Sequence, residues 1–215
     1  MQTLNFYKCI AVFYDLLDVI YFRNEKTSPR KVVSDLVKAQ EHVLVLCTGT
    51  GTVALRIAKE NPESKVVGID LSKNMIEVAK GKLRKQSLRN VKFSVMDATN
   101  TSFENKSFDK VLLSLLLHEV DEALASRILE EAMRVLKDEG EVLVTEWEPS
   151  KSLWKKILFL PIHILEPKHY HAFIKKDLHA YFEGFGLKIV EEMHCDYSKV
   201  LILQRRSNMS LYSYK

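Results

Sequence analysis

Between Glu41 and Arg206 the apolar residues keep two alternating rhythms. Short, nearly continuous apolar runs read as buried strands. They fall at Val43–Leu46, Lys65–Asp70, Val91–Asp97, within Phe108–Leu117, and at Glu141–Trp147. Between them the apolar positions recur at helical spacing. Thr52–Glu60 sets Val53, Ala54, Ile57 and Ala58 on one face. Ser72 is placed to cap a helix striped by Met75, Ile76, Ala79 and Leu83. Glu122–Lys137 carries Leu124, Ile128, Ala132, Val135 and Leu136 in register, and Gly140 is expected to end it.

Strand and helix in alternation predict an α/β protein with a doubly wound, parallel sheet covered on both faces. The C-terminal part differs. "LKIVEEMHC" and "KVLILQRR" are strand-like runs joined by only "DYS". So short a link suits a hairpin and not a helical crossover. A seven-stranded, mostly parallel sheet with an antiparallel C-terminal hairpin is therefore expected.

Two segments flank this 41–206 core and one lies within it. Residues 1–40 read as a helical cover, with Phe6, Ile10, Phe13, Leu17 and Ile20 as its stripe and Tyr7, Tyr14 and Tyr21 on one face. Residues 150–173, rich in His, Pro and large apolar groups, read as a lid over an acceptor site, and 207–215 as a tail.

The chain has 215 residues, enough to bury a full core without disulfides. Its net charge is +4, and residues 151–215 hold 11 basic against 6 acidic residues. That excess is too small to indicate a nucleic-acid partner. Cys9, Cys47 and Cys195 form neither a disulfide framework nor a zinc pattern, which fits a cytoplasmic protein. The N-terminus lacks the look of a secretory signal, and no apolar run approaches a membrane span.

The candidate chemistry begins at Cys47-Thr48-Gly49-Thr50-Gly51, directly after the first strand. Without a Cβ, Gly49 and Gly51 let a ligand approach the backbone. The helix start that follows favours a negative group. Asp70 ends the second strand about 20 residues on, where a carboxylate holds ribose hydroxyls. Gly49-x-Gly51-x-x-Ala54 also fits a dinucleotide site, so an NAD-dependent oxidoreductase shares the layout. Asp97, placed to receive an adenine amine, and the terminal hairpin oppose that reading.

The span from Val43 to Arg206 resembles the class I S-adenosylmethionine-dependent methyltransferases. "VLVLCTGTG", "VVGIDLSKNMIEVAK", "VKFSVMDAT", "SFDKVLLSLLLHEV" and "ILEEAMRVLKDEGEVLVTEW" follow the family's motifs in order. "CTGTG" and "YDLLD" look most like the ubiquinone/menaquinone-biosynthesis methyltransferases and their small-molecule relatives. The resemblance implies a Rossmann-like fold, S-adenosyl-L-methionine as cofactor and S-adenosyl-L-homocysteine as product. It implies cofactor contacts from Tyr14, Cys47, Thr48, Gly49, Gly51, Asp70, Leu71, Met75, Asp97, Ala98, Ser114 and Leu115. One departure stands out. The family usually carries an acid two positions before Cys47, and here the residue is Val45. A protein that keeps the pocket only to bind is thus a further reading. Cys47 itself reads as a small buried residue and not as a reactive thiol.

Methyl transfer from a sulfonium is an in-line displacement needing alignment, water exclusion and, for some acceptors, a base. His118, following the fourth strand, is the candidate general base; local packing is its alternative role. Glu119 reads as a surface or helix-capping group. On the acceptor side, His163, His169, Tyr170 and His171 are candidates for orienting a small, hydrophobic or amphipathic molecule. No carboxylate or thiolate completes a metal set with these histidines. The 152–165 stretch, bordered by Trp154, Lys155 and Lys156, also suits a peripheral membrane face or a packed helix.

Overall fold

The computed structural model describes residues 21–22, 24–148 and 168–206. In chain order these form α1 (Pro29–Asp35), β1 (His42–Leu46), α2 (Thr52–Glu60), β2 (Lys65–Asp70), α3 (Lys73–Leu83), β3 (Val91–Val95) and β4 (Phe108–Ser114). Then follow α4 (Glu122–Val135), β5 (Leu136–Trp147), α5 (Lys168–Phe173), α6 (Leu178–Glu183), β6 (Leu187–His194) and β7 (Ser198–Arg205).

The strands make one seven-stranded sheet in the order β3-β2-β1-β4-β5-β7-β6. The first five pair in parallel, whereas β7 runs antiparallel to both β5 and β6. The expected fold is the observed one. Between β1 and β4 the direction of winding reverses, and such a switch point opens a crevice beyond the carboxyl ends of the strands.

The period-two alternation of β1 sorts its side chains to the two faces. Val43 and Val45 join Val33 and Val37 of the α1 region, Ala54 and Ile57 of α2, and Ile76 and Ala79 of α3. Leu44 and Leu46 join Ile128, Leu129 and Ala132 of α4 and Phe182 of α6. A third, aromatic cluster of Tyr21, Phe22, Trp147, Tyr170 and Tyr197 closes the carboxyl end of β5. Lys110, a charge in the middle of a core strand, is buried between Glu141 at 2.6 Å and Glu41 at 3.6 Å.

Several expected boundaries shift. β3 ends at Val95, so Asp97 lies in the loop beyond it. α4 ends at Val135, and Gly140 lies inside β5 instead of capping the helix. A Cβ on Gly140 would stand 2.7 Å from Leu136 Cδ1 and 2.8 Å from the Asp109 carbonyl, so packing demands the glycine. The cap at the start of α4 is Asp121, whose Oδ1 accepts from the Leu124 N–H at 2.8 Å, and not Glu119. Ser72 caps α3 as expected, accepting from the Met75 N–H at 3.3 Å. Among the described residues no helix is long and apolar enough to cross a membrane.

Candidate active site

The turn after β1 takes the left-handed conformation three times, at Cys47 (φ 49°), Gly49 (φ 56°) and Gly51 (φ 76°). The two glycines serve different ends. A Cβ on Gly51 would sit 2.7 Å from Phe93 Cζ and 2.8 Å from Ala79 Cβ, so this position is fixed by packing between α2, α3 and β3. A Cβ on Gly49 would meet nothing within 4 Å, so this is where the backbone lies open to a ligand. Thr48 turns its hydroxyl back over Gly68, where a Cβ would lie 2.8 Å from Oγ1. From α3, Lys82 Nζ reaches Thr50 and Thr52 Oγ1, both at 2.9 Å, and ties the start of α2 to the turn.

Asp70 is built into the same turn. Its Oδ2 accepts from the Gly49 N–H at 2.9 Å and its Oδ1 from the Ser72 N–H at 2.8 Å. A carboxylate offers about four lone-pair positions, so an aimed acceptor surface remains for vicinal hydroxyls. Next to it Leu71 is 69 % exposed, and Val95, the register partner of Asp70 on β3, is 48 % exposed. Large apolar side chains left in solvent at a functional edge suit the faces of a planar base. Val95 escaped the sequence reading because its run reads as a buried strand to its end.

Asp97 is exposed, and its Oδ1 accepts from both the N–H and the hydroxyl of Thr99 at 2.8 Å. Those hydrogen bonds, the backbone one first, hold its carboxyl below the usual range, so it is an ionised acceptor at neutral pH. Ala98 turns its methyl into the core, leaving its backbone for a ligand. Met75 is half-buried in the first turn of α3. Cys47 is inert: burial first, then the charges of Asp70, Asp97 and Glu119, push its thiol up to about 12. Tyr14 lies outside the described residues.

At the end of β4, Ser114 pairs with Thr145 of β5, and the Leu115 N–H donates to the Thr145 carbonyl at 2.8 Å. Leu115 is left-handed (φ 53°), which turns Leu116, Leu117 and His118 back into the protein. His118 is 1 % exposed. Its Nδ1 pairs with Glu146 Oε2, and Glu146 Oε1 accepts from the Leu117 N–H at 2.9 Å. The Tyr170 ring stands edge-on to the imidazole, 5.8 Å away at 86°. Glu146 was missed in the sequence, although an acid inside the apolar run "VLVTEW" was the available signal. His163 lies outside the described residues, and His169 and His171 belong to α5.

These residues fit an adenosyl cofactor. Gly49 leaves the backbone open, Asp70 is held in the turn by two backbone N–H groups, and Leu71, Val95 and Asp97 present two exposed apolar side chains and an acceptor.

Comparison with known proteins points the same way. Residues 43–140 match the family described as a methyltransferase domain. The chain is 34% identical over 170 residues to the demethylmenaquinone methyltransferase of Staphylococcus aureus, covering 77% of this chain and 69% of that protein. The fold is similar to that of a SAM-dependent methyltransferase from Aquifex aeolicus (TM-score 0.68, 21% identity, 84% of this chain and 91% of that one). It is also similar to an O-methyltransferase of neocarzinostatin biosynthesis, solved with S-adenosyl-L-homocysteine and 1,4-dihydroxy-2-naphthoic acid (TM-score 0.70, 14% identity, 91% of this chain and 57% of that one).

Proposed function

The chain belongs to the class I S-adenosylmethionine-dependent methyltransferases, in the group of the demethylmenaquinone methyltransferases, and from that premise we propose that its acceptor is a small hydroxylated aromatic molecule of the hydroquinone type. The observation that carries this reading is the buried His118–Glu146 pair at the cofactor's edge of the sheet, set beside the aromatic cluster. Neither a non-catalytic binding role nor NAD-dependent chemistry gains support from the comparisons.

When bound, the cofactor supplies a methyl group on a sulfonium, open to in-line displacement. In this proposal Glu146 accepts the Nδ1 proton of His118 in a hydrogen bond, which leaves Nε2 as the basic nitrogen. The Leu117 N–H fixes the carboxylate in turn. A phenolic hydroxyl has a pKa near 10, so a positioned base is needed to ionise it at neutral pH. His118 would take that proton, leaving an electron pair on the oxygen or the adjacent ring carbon; the cofactor, when bound, would supply the methyl group and leave as S-adenosylhomocysteine. Tyr170, buried against the imidazole, keeps water from it. The 150–173 segment is read as the acceptor lid, with His163, His169 and His171 as further acceptor-side candidates and 152–165 as the stretch that meets an apolar acceptor or a membrane surface. Tyr14, on the 1–40 cover, is read as a cofactor contact.

The test is S-adenosylhomocysteine formation with a hydroquinone, a catechol, an alkyl thiol and an alkylamine, each at matched concentration. Turnover with the hydroquinone or catechol, slowed about 100-fold or more in His118→Ala, is expected. Turnover confined to the thiol or the amine would overturn the acceptor class.

A further inference from the structure

A crossover between parallel strands is usually a helix, which bonds most of its own backbone. All of residues 96–107, the crossover from β3 to β4, are described, and no helix lies among them. The crossover opens with Asp97, the exposed carboxylate at the edge of the site. Its course depends on bonds made from outside, and these come from α4. The far end docks on the helix backbone: the Lys106 N–H donates to the Arg134 carbonyl at 3.0 Å and the Ser107 N–H to the Val135 carbonyl at 2.8 Å. The near end is held by side chains.

Glu131 and Arg134 are one turn apart on α4 and share a face. Glu131 is 6 % exposed. Its Oε1 accepts from the Thr101 N–H at 2.7 Å and from the Thr101 hydroxyl at 2.5 Å. The Arg134 guanidinium donates to both Glu131 oxygens, at 2.7 and 2.8 Å, and reaches on to Asn105 Oδ1 at 2.6 Å and the Thr101 carbonyl at 3.2 Å. Between Thr101 and Asp97 the bonds are continuous. The Asn100 N–H donates to the Asp97 carbonyl at 3.3 Å, and the Asp97 carboxylate takes the N–H and hydroxyl of Thr99. The direction of the Asp97 carboxylate is thus set by a run of bonds that ends on Glu131. A buried ion pair adds little net stability over apolar residues of similar size, so the direction it imposes on the crossover is the better account of its presence.

We propose that Glu131 is a positioning residue for adenine: by clamping Thr101 it aims the Asp97 carboxylate at the exocyclic amine, and so sets the preference for adenine over a purine without that amine. The inference rests on the cofactor assignment and on Asp97 as the group that receives the amine. It is independent of which molecule is methylated.

Calorimetric titration of the full chain with two ligands tests it. One is S-adenosylhomocysteine. The other is its 6-deamino analogue, which carries purine in place of adenine and lacks only the amine. The parent is expected to prefer S-adenosylhomocysteine about 10- to 100-fold, the range for a hydrogen bond to a charged group. In Glu131→Gln that preference should shrink at least about fivefold, with the deamino analogue bound within about twofold of the parent. A role in stability alone would weaken both ligands together and leave the ratio where it was. Thr101→Val removes the hydroxyl arm of the clamp and no charge, and should shrink the preference about two- to threefold. An unchanged ratio in Glu131→Gln would overturn the proposal, as would an unchanged ratio in Thr101→Val where that variant alone folds. A parent that bound both ligands equally, or an Asp97→Ala variant that kept the parent's ratio, would overturn the role of Asp97 and this proposal with it. A parent that bound neither ligand would overturn the cofactor assignment itself.

Discussion

Replacing each glycine of the turn by alanine separates two roles that the motif joins. Both residues are left-handed, and an L side chain there costs roughly 1–2 kcal/mol. For Gly49→Ala that is the whole stability cost, since the new methyl meets nothing within 4 Å. For Gly51→Ala the methyl would press on Phe93 at 2.7 Å and Ala79 at 2.8 Å. Overpacking of this kind adds about 1–3 kcal/mol, for a total of about 2–5 kcal/mol. At roughly 2–4 °C per kcal/mol in a chain of this size, Gly51→Ala should lower the Tm by about 4–20 °C and Gly49→Ala by about 2–8 °C. Affinity should follow the opposite order. The Gly49 methyl occupies the space through which the cofactor nears the backbone, so S-adenosylhomocysteine binding should weaken at least about tenfold. Gly51→Ala, measured well below its melting point, should bind within a few-fold of the parent. Thermal melts with and without ligand, together with calorimetry, give both numbers. Equal losses of stability in the two variants, or unchanged affinity in Gly49→Ala, would refute the division of roles.

Asp70→Ala removes the acceptor for two backbone N–H groups along with the ribose contact, so S-adenosylhomocysteine affinity should fall about 10- to 100-fold; unchanged calorimetric affinity would remove Asp70 from the site. Glu146→Gln keeps an acceptor for the Leu117 N–H and loses the anion beside His118. It should lower kcat and move the acid limb of the pH–rate profile to lower pH, because a neutral partner no longer favours the imidazolium; an unmoved profile would make the pair structural. Glu131 is held at about 2, chiefly by the Arg134 guanidinium and then by the hydroxyl and N–H of Thr101, against the opposing effect of burial. Its folded-state value is depressed, so its contribution is complete above the ordinary value of 4.5 and is lost as pH falls from there through about 2. Glu131→Gln should therefore melt lower at pH 7, and its deficit against the parent should shrink across that window.

The alternation of strand and helix was legible because each parallel strand is buried on both faces and reads as an apolar run. The place of Asp70 at the end of β2 was legible as well, because the apolar run stops there. The misreadings share a cause in long-range packing. Gly140 looks like a helix stop in a linear string, yet it is required by the approach of Leu136 and the Asp109 carbonyl. Glu146 becomes visible as a partner only when β4 and β5 are laid side by side. Residues that answer to a local rule can be read in order, and those that answer to a neighbour on another strand cannot.

The junction of Tyr21 with Trp147 and Tyr197 bears on how the protein is made. Tyr21 meets both rings edge-on, at 5.9 and 5.2 Å, and the Thr27 hydroxyl donates to Asp196 at 2.7 Å. An early part of this sequence is thereby moored to a late one. During synthesis the parallel strands can assemble while the mooring point does not yet exist. Tyr21 and the neighbouring Phe22 are thus held by Trp147 of β5, and Tyr21 also by Tyr197 at the hairpin turn. Any form lacking the β6–β7 hairpin would keep the glycine turn and Asp70 but lose the Tyr197 ring that Tyr21 meets and the Asp196 carboxylate that Thr27 meets.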